Sequence, residues 1–69
     1  MELARFVKEK RKAVNLTQPE LAAKAGVGLR FVRELEQGKQ SLRMDKVNQV
    51  LRLFSYEVGP VPAIKENEQ

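Results

Sequence analysis

The sequence predicts an all-α domain of four short helices, and three observations favour this fold class. Apolar residues recur at helical spacing in four separate segments. Residues that start or end helices, such as Thr17, Gly26 and Gly38, separate these segments. Only after residue 54 does the pattern change to the alternation that is typical of a strand. The predicted helices cover approximately residues 2–14, 18–25, 29–37 and 42–54.

The composition limits the classes of function. The chain of 69 residues suffices for one domain, and its net charge of +4 and pI near 9.8 suit an anionic partner. It contains no cysteine and no histidine. Disulfides and triads that use either residue are therefore excluded, and a zinc site is disfavoured. Because no run resembles a signal peptide or a membrane span, we expect a cytoplasmic protein. The sequence also has no phosphate-binding glycine loop and no evident pair of catalytic carboxylates, so we expect no metal, cofactor or enzymatic activity.

The first predicted helix spans Glu2 to Val14 and ends at Asn15, since asparagine tolerates the left-handed conformation of a helix C-cap. Four apolar residues would face the core: Leu3, Phe6, Val7 and Val14. The other faces are basic and carry Arg5, Lys8, Lys10, Arg11 and Lys12. These cations fit either a solvated helix face or a surface that makes partial contact with phosphates.

The segment from Leu16 to Gly38 carries the most specific pattern. Thr17 is a good N-cap that Glu20 can complete as a capping box, and Gly26 can adopt the positive φ that ends a helix. Small, glycine and apolar residues then fall at the seven places that two helices crossing at a wide angle require: Leu21, Ala22, Ala25, Gly26, Val27, Val32 and Leu35. This is the spacing of a helix-turn-helix. The alternative is an ordinary αα-hairpin of a small bundle.

The second helix of this motif, predicted from Leu29 to Gln37, divides into two faces on a helical wheel. Phe31, Val32 and Leu35 form an apolar face. The opposite face carries Leu29, Arg30, Arg33, Glu34 and Gln37. An arginine fork can bind guanine O6 and N7, and an exposed leucine can pack on a thymine methyl. The two arginines and Leu29 are therefore candidate base contacts.

After this helix, Lys39 and Arg43 are placed to contact a phosphate backbone, although each can equally be an ordinary solvated charge. Ser41 is the expected N-cap of the fourth helix, which runs to about Phe54. Residues 55–58 then alternate as a short strand, with Tyr56 and Val58 on one side. The same strand of a second copy is the simplest partner. The alternative is an irregular segment that covers the core.

The sequence LTQPELAAKAGVGLRFVRELEQGK closely resembles the Xre-type, lambda-repressor-like helix-turn-helix domains, and the likeness covers residues 3–54. The phrases FVKEKRKAVNLTQPELA and FVRELEQGKQSLRMDKVNQVL, followed by YEVGPV, are similar to the HipB-like antitoxins. This resemblance implies a four-helix domain with a C-terminal strand that pairs between protomers. Residues 1–59 would form that domain, and residues 60–69 a flexible tail.

The resemblance also implies roles for individual residues. Gln18 would bond a DNA phosphate, and the segment from Gly28 to Arg33 would open the recognition helix. Arg11 and Glu36 match a pair that forms a structural salt bridge between the first and third helices. Gly28 departs from the family, in which Ser or Thr usually caps the recognition helix.

The predicted function is that of a dimeric, sequence-specific DNA-binding repressor whose operator is an inverted repeat. The HipB-like resemblance implies a second partner, a HipA-like serine/threonine kinase toxin, and repression of a shared operon. The alternatives are a stand-alone phage-type Xre repressor and a protein-only interaction module that has lost DNA binding.

Overall fold

Four helices make up the part of the chain that the computed structural model describes, residues 2–56. They are α1 (Glu2–Ala13), α2 (Gln18–Ala25), α3 (Leu29–Glu36) and α4 (Met44–Arg52). Helix α3 packs against both α1 and α2, and α4 packs against α2. The predicted all-α fold and the predicted order of helices are confirmed for these residues.

A left-handed residue follows each of the four helices. These residues are Asn15 (φ 59°), Gly26 (76°), Gly38 (83°) and Ser55 (65°). In each case the next residue donates its N–H to a carbonyl five residues earlier: Leu16 to Arg11, Val27 to Ala22, Lys39 to Glu34 and Tyr56 to Leu51. This is the hydrogen bond of a Schellman cap, which satisfies a carbonyl that the helix end leaves unpaired. The same cap therefore ends each of the four described helices. The predictions that Asn15, Gly26 and Gly38 end helices in a left-handed conformation are confirmed.

The two helices of the motif begin differently. The hydroxyl of Thr17 accepts from the Glu20 N–H at 3.2 Å, and the Glu20 carboxylate accepts from the Thr17 N–H at 2.8 Å. The predicted capping box of α2 is thus present. Helix α3 begins at Gly28, which has extended φ and ψ but no side chain to cap the helix. A Cβ added to Gly28 would meet nothing within 4 Å, so the missing cap does not result from crowding.

The hydrophobic core lies where α1, α2, α3 and α4 meet. Its fully buried side chains include Val7, Leu21, Val32, Leu35 and Val50. Half-buried apolar residues pack around it, among them Phe31 and Leu29. The predicted apolar face of α3 is confirmed, but Leu29, predicted to be exposed, is partly buried against this core.

A buried ion pair joins the first and third helices. The Arg11 guanidinium donates through Nε to Glu36 Oε2 at 2.7 Å and through Nη2 to Oε1 at 3.0 Å, while Nη1 donates to the Leu16 carbonyl at 2.8 Å. The side chains of Arg11 and Glu36 are 12% and 2% exposed. The Gln18 amide adds a bond to Glu36 Oε1 at 3.1 Å. The salt bridge that the resemblance implied is therefore present, with Gln18 as a third member.

The start of α4 differs from the prediction. Ser41 does not cap this helix, which begins at Met44 with Arg43 at the N-cap and no side-chain cap. Leu42 precedes the helix and packs against the core from there. The Arg43 guanidinium bonds the Asp45 carboxylate at 2.7 and 3.2 Å. Because the loop must carry Leu42 to the core, the helix begins later than the capping preference of Ser41 suggests.

Ser55, the first residue of the predicted strand, does not have a strand conformation. Ser55 is left-handed and belongs to the cap of α4, so it is not extended. Tyr56 follows it and packs edge-on against Phe6, with ring centroids 4.8 Å apart and Lys10 5.5 Å from both rings. Val58, the remainder of the predicted strand and the predicted tail at 60–69 lie outside the described residues.

The charge of Glu36 should stabilise the fold in a pH-dependent way. Burial acts to raise the pKa of Glu36, but hydrogen bonds from Arg11 and Gln18 and the Arg11 charge outweigh it, so the pKa lies below its usual value. The stabilisation is therefore complete above the ordinary glutamate pKa of about 4.3 and is lost as pH falls through the lowered pKa. Glu36→Gln should cost about 3 kcal/mol at neutral pH, because it leaves Arg11 buried without its counter-charge.

Urea unfolding of the wild type and of Glu36→Gln at a series of pH values measures the stabilisation by the Glu36 charge. The difference in unfolding free energy between wild type and Glu36→Gln should shrink as the pH falls from about 5 to about 2. A difference that stays constant over this range would show that the carboxylate charge does not stabilise the fold.

Two glycines near the turn of the motif should respond oppositely to serine. Gly28→Ser places a capping hydroxyl where φ is −77° and nothing is crowded, so the free energy of unfolding should rise by a few tenths of a kcal/mol. Gly26→Ser is the matched control, and its left-handed φ of 76° should make the same substitution destabilising by about 1 kcal/mol. Thermal and urea denaturation give both values. Destabilisation by Gly28→Ser would contradict the cap geometry.

Candidate nucleic-acid interface

Helix α3 presents two arginines on the side opposite the core. Val32 and Leu35 are fully buried and fix the rotation of the helix. The Arg30 side chain is 91% exposed, and Arg33 is also exposed and forms no ion pair with any side chain among residues 3–56. Guanidinium groups in this position can donate to acceptors on another molecule.

The outward face of α3 continues into a shallow concave surface towards the start of α4. We call this surface the α3–α4 groove, and it is lined by Gly28, Arg30, Phe31, Glu34, Lys39, Ser41, Leu42, Arg43 and Lys46. Four of these nine residues are cations and one is an acid. The groove therefore combines a positive charge with an open shape, which suits a polyanion better than a small molecule.

Glu34 is the acidic residue of the α3–α4 groove. Its Oε2 accepts from Arg30 Nε at 3.2 Å and its Oε1 accepts from Lys39 Nζ at 3.3 Å. The hydrogen bond from Lys39, together with that from Arg30, lowers the pKa of Glu34 despite its partial desolvation, and so keeps it ionised. The helical wheel placed Glu34 on the outward face but assigned it no role. Its partner Lys39 lies beyond the end of the helix, where helical spacing gives no signal.

Gln18, the predicted phosphate contact, stands at the first position of α2 and is half-buried. Its Nε2 donates to Glu36 Oε1, so the buried ion pair fixes the direction of the amide. An amide nitrogen carries two hydrogens, and one therefore remains for an acceptor such as a phosphate. Gln18 thus connects the proposed interface to the interior of the fold.

The remaining candidate residues are distributed over more than one surface. Lys39 is paired with Glu34, and Arg43 with Asp45, and both cations remain largely exposed. Gln37 is the exposed C-cap of α3, and it lines a different concavity, beside Arg5 and Lys8 of α1. The α3–α4 groove therefore brings together Gly28, Arg30, Lys39 and Arg43. Its lining does not include the other predicted DNA-binding residues, which are Gln18, Leu29, Arg33 and Gln37.

Helix α1 divides its cations between the interior and the surface. Arg11 is committed to Glu36 and is not available to a ligand, as the resemblance implied. Arg5, Lys8 and Lys12 are exposed. The first two line the concavity beside the end of α3, so a second group of cations lies near that end of the helix.

Other kinds of site find little support in the described part of the chain. Residues 3–56 contain no cluster of three or more acidic, histidine or cysteine side chains that could hold a metal ion. None of the helices described is both long enough and apolar enough to cross a membrane.

Comparisons with known proteins agree with this geometry. A family model described as helix-turn-helix matches residues 7–60 of the chain. The chain is also similar to an uncharacterised HTH-type transcriptional regulator, y4mF, of Sinorhizobium fredii, with 49% identity over 51 residues. That match covers 74% of this chain and 67% of the relative. The chain therefore belongs to the Xre-type helix-turn-helix family of DNA-binding transcriptional regulators.

Proposed function

We propose that the protein is a sequence-specific DNA-binding repressor that places residues 29–37 in the major groove. The observation that carries this proposal is the outward face of α3. Two exposed arginines, Arg30 and Arg33, stand on the second helix of a helix-turn-helix whose rotation is fixed by Val32 and Leu35. A protein-only interaction module would have no use for this basic face.

The proposed contacts divide into base readers and phosphate contacts. Arg30 and Arg33 would each bind guanine through the fork of the guanidinium, and the exposed part of Leu29 would pack on a thymine methyl. Phosphates would be bound by Lys39 and Arg43 and by further groups at the edges of the motif: Gln18, Gln37 and the backbone at Gly28. Gly28 suits this role because the space around it is open.

The proposed assembly is a homodimer on an inverted-repeat operator. Tyr56 and Val58 would belong to a segment that pairs with its copy about a twofold axis. In support of this, Tyr56 packs on Phe6 of α1 and is still 49% exposed, so its side chain is held at a fixed point on the surface and keeps area for a partner. The two recognition helices would then meet half-sites about 34–36 Å apart.

The resemblance to HipB-like antitoxins supports a more specific role for this repressor. In that role the protein would bind a HipA-like serine/threonine kinase toxin and repress the operon that encodes both proteins. A stand-alone phage-type repressor would have no such partner. A gene for such a kinase beside the gene for this protein would favour the antitoxin role.

The first prediction separates base reading from phosphate contact. Arg33→Ala should weaken binding to a site selected from random duplexes by about 1–3 kcal/mol and relax the preference at one base pair. Lys39→Ala should weaken selected and random duplexes alike and reduce the slope of log K against log salt by about 1. Fluorescence anisotropy across a range of salt concentrations measures both.

Arg52→Ala provides the matched control for these variants. Arg52 is an exposed arginine in the last turn of α4, at the opposite end from Arg43, and its loss should leave the sequence preference unchanged. If Arg33→Ala weakened selected and random DNA equally, the assignment of Arg33 to base reading would be wrong.

Light scattering tests the proposed partners. The full chain should have the mass of a dimer, and a chain that ends after Ser55 should have the mass of a monomer, since it lacks both Tyr56 and Val58. Mixing the full chain with the kinase encoded beside it should give one larger complex. A full chain that stays monomeric would contradict the pairing segment, and a kinase that does not join it would contradict the antitoxin role.

A further inference from the structure

The one acidic side chain of the α3–α4 groove lies between two of its four cations. Glu34 uses one carboxylate oxygen for Arg30 Nε and the other for Lys39 Nζ, at 3.2 and 3.3 Å. The Glu34 side chain is 26% exposed, against 91% for Arg30 and 48% for Lys39. The carboxylate is therefore the more fixed group, and the two longer side chains reach towards it from opposite ends of α3.

These ion pairs contribute little to folding. Pairs as exposed as Arg30–Glu34 are solvated and screened, and they lose side-chain entropy when they form. Arg30 also precedes Glu34 by one turn, which is the less favourable order for oppositely charged residues on a helix. A role in stability therefore does not account for an acid among the cations of this surface.

The geometry leaves the useful end of Arg30 free. Glu34 accepts from Nε, and it is the two terminal amino groups of an arginine that form the fork for guanine O6 and N7. A fork whose Nε is held loses less rotational freedom on binding, which is worth about 2- to 10-fold in affinity for one long side chain.

The Glu34 charge also affects binding to the wrong sequence. A carboxylate beside Arg30 and Lys39 repels nearby phosphates and partly neutralises the two cations, so their attraction for phosphates is weaker at any position along a duplex. Only a site that offers Arg30 its base acceptors compensates for this repulsion. A charge that weakens binding to the wrong DNA sequence raises specificity in the same way as an added contact to the right sequence.

We infer that Glu34 is a positioning residue that sets sequence specificity. It holds Arg30 for base reading, and its charge weakens the attraction of Arg30 and Lys39 for phosphates of any sequence. This inference rests on the proposed DNA-binding function. It assigns to the α3–α4 groove a residue that opposes non-specific binding. It acts through the two cations and not by contact with a base.

Glu34→Gln tests the inference, because it keeps the size of the side chain and removes its charge. Wild type first selects a preferred duplex from a random library, and fluorescence anisotropy then compares that duplex, a version changed at the Arg30 position, and random duplex. In Glu34→Gln the affinity for random duplex should rise by about 2- to 10-fold, and its salt slope should steepen by about 1. The preference at the Arg30 position should fall by a similar factor.

Asp45→Asn is the matched control. It removes one carboxylate charge from an exposed pair with Arg43, 2.7 Å apart, outside α3. It should strengthen binding to selected and random duplexes equally and leave their ratio unchanged. If Glu34→Gln only reproduces this pattern, the positioning role is overturned.

Two further measurements complete the test. In an Arg30→Ala background, Glu34→Gln should no longer change any base preference, because the role of Glu34 requires Arg30. If the preference still changes, Glu34 reads a base itself and the inference is overturned.

Relaxation of the Arg30 Nε–H by NMR, without DNA, should show greater mobility of the Arg30 side chain in Glu34→Gln than in wild type. Unchanged mobility would also overturn the inference. A wild type that selects no duplex would instead refute the proposed DNA-binding function, while the NMR result would still show whether Glu34 orders Arg30.

Discussion

The buried contact between Arg11 and Glu36 is the interaction on which the arrangement of the motif depends. Its two bonds, at 2.7 and 3.0 Å, join α1 to the last residue of α3, while Gln18 brings the start of α2 to the same carboxylate. A buried carboxylate without these donors would have to be protonated or exposed. The pair therefore gives the two motif helices a common reference point on α1, in addition to the non-directional packing of the core.

Fixing α3 in this way separates its two faces by function. The inner face is committed to Val32, Leu35 and Glu36, and the outer face is left with Arg30 and Arg33. Carboxylates partly neutralise the positive charge on this outer surface. Arg30 and Lys39 both pair with Glu34. Arg43 pairs with Asp45. Under the role that we infer for Glu34, such a surface would attract a polyanion while limiting its binding to random sequence.

The sequence predicts those features that local chemistry determines, such as the helix ends at Asn15, Gly26 and Gly38, where a tolerance for positive φ belongs to the residue itself. Features that depend on distant residues were predicted less well. The Arg11–Glu36 pair spans 25 positions and was reached only through the family resemblance. A helical wheel predicts an exposed Leu29 because it treats the helix alone, whereas neighbouring elements partly cover this residue. The base and phosphate assignments remain predictions, because they depend on a second molecule.

An NMR titration of the labelled full chain with a selected duplex tests the central claim, that the outer face of α3 binds DNA. The backbone amides that shift should be those of residues 28–34, those of residues 39–43, and Gln18. The apolar concavity formed by Val14, Leu16 and Leu53 should stay unperturbed, since it offers a single cation, Lys24. Shifts centred on that concavity, with residues 28–34 unchanged, would contradict the claim.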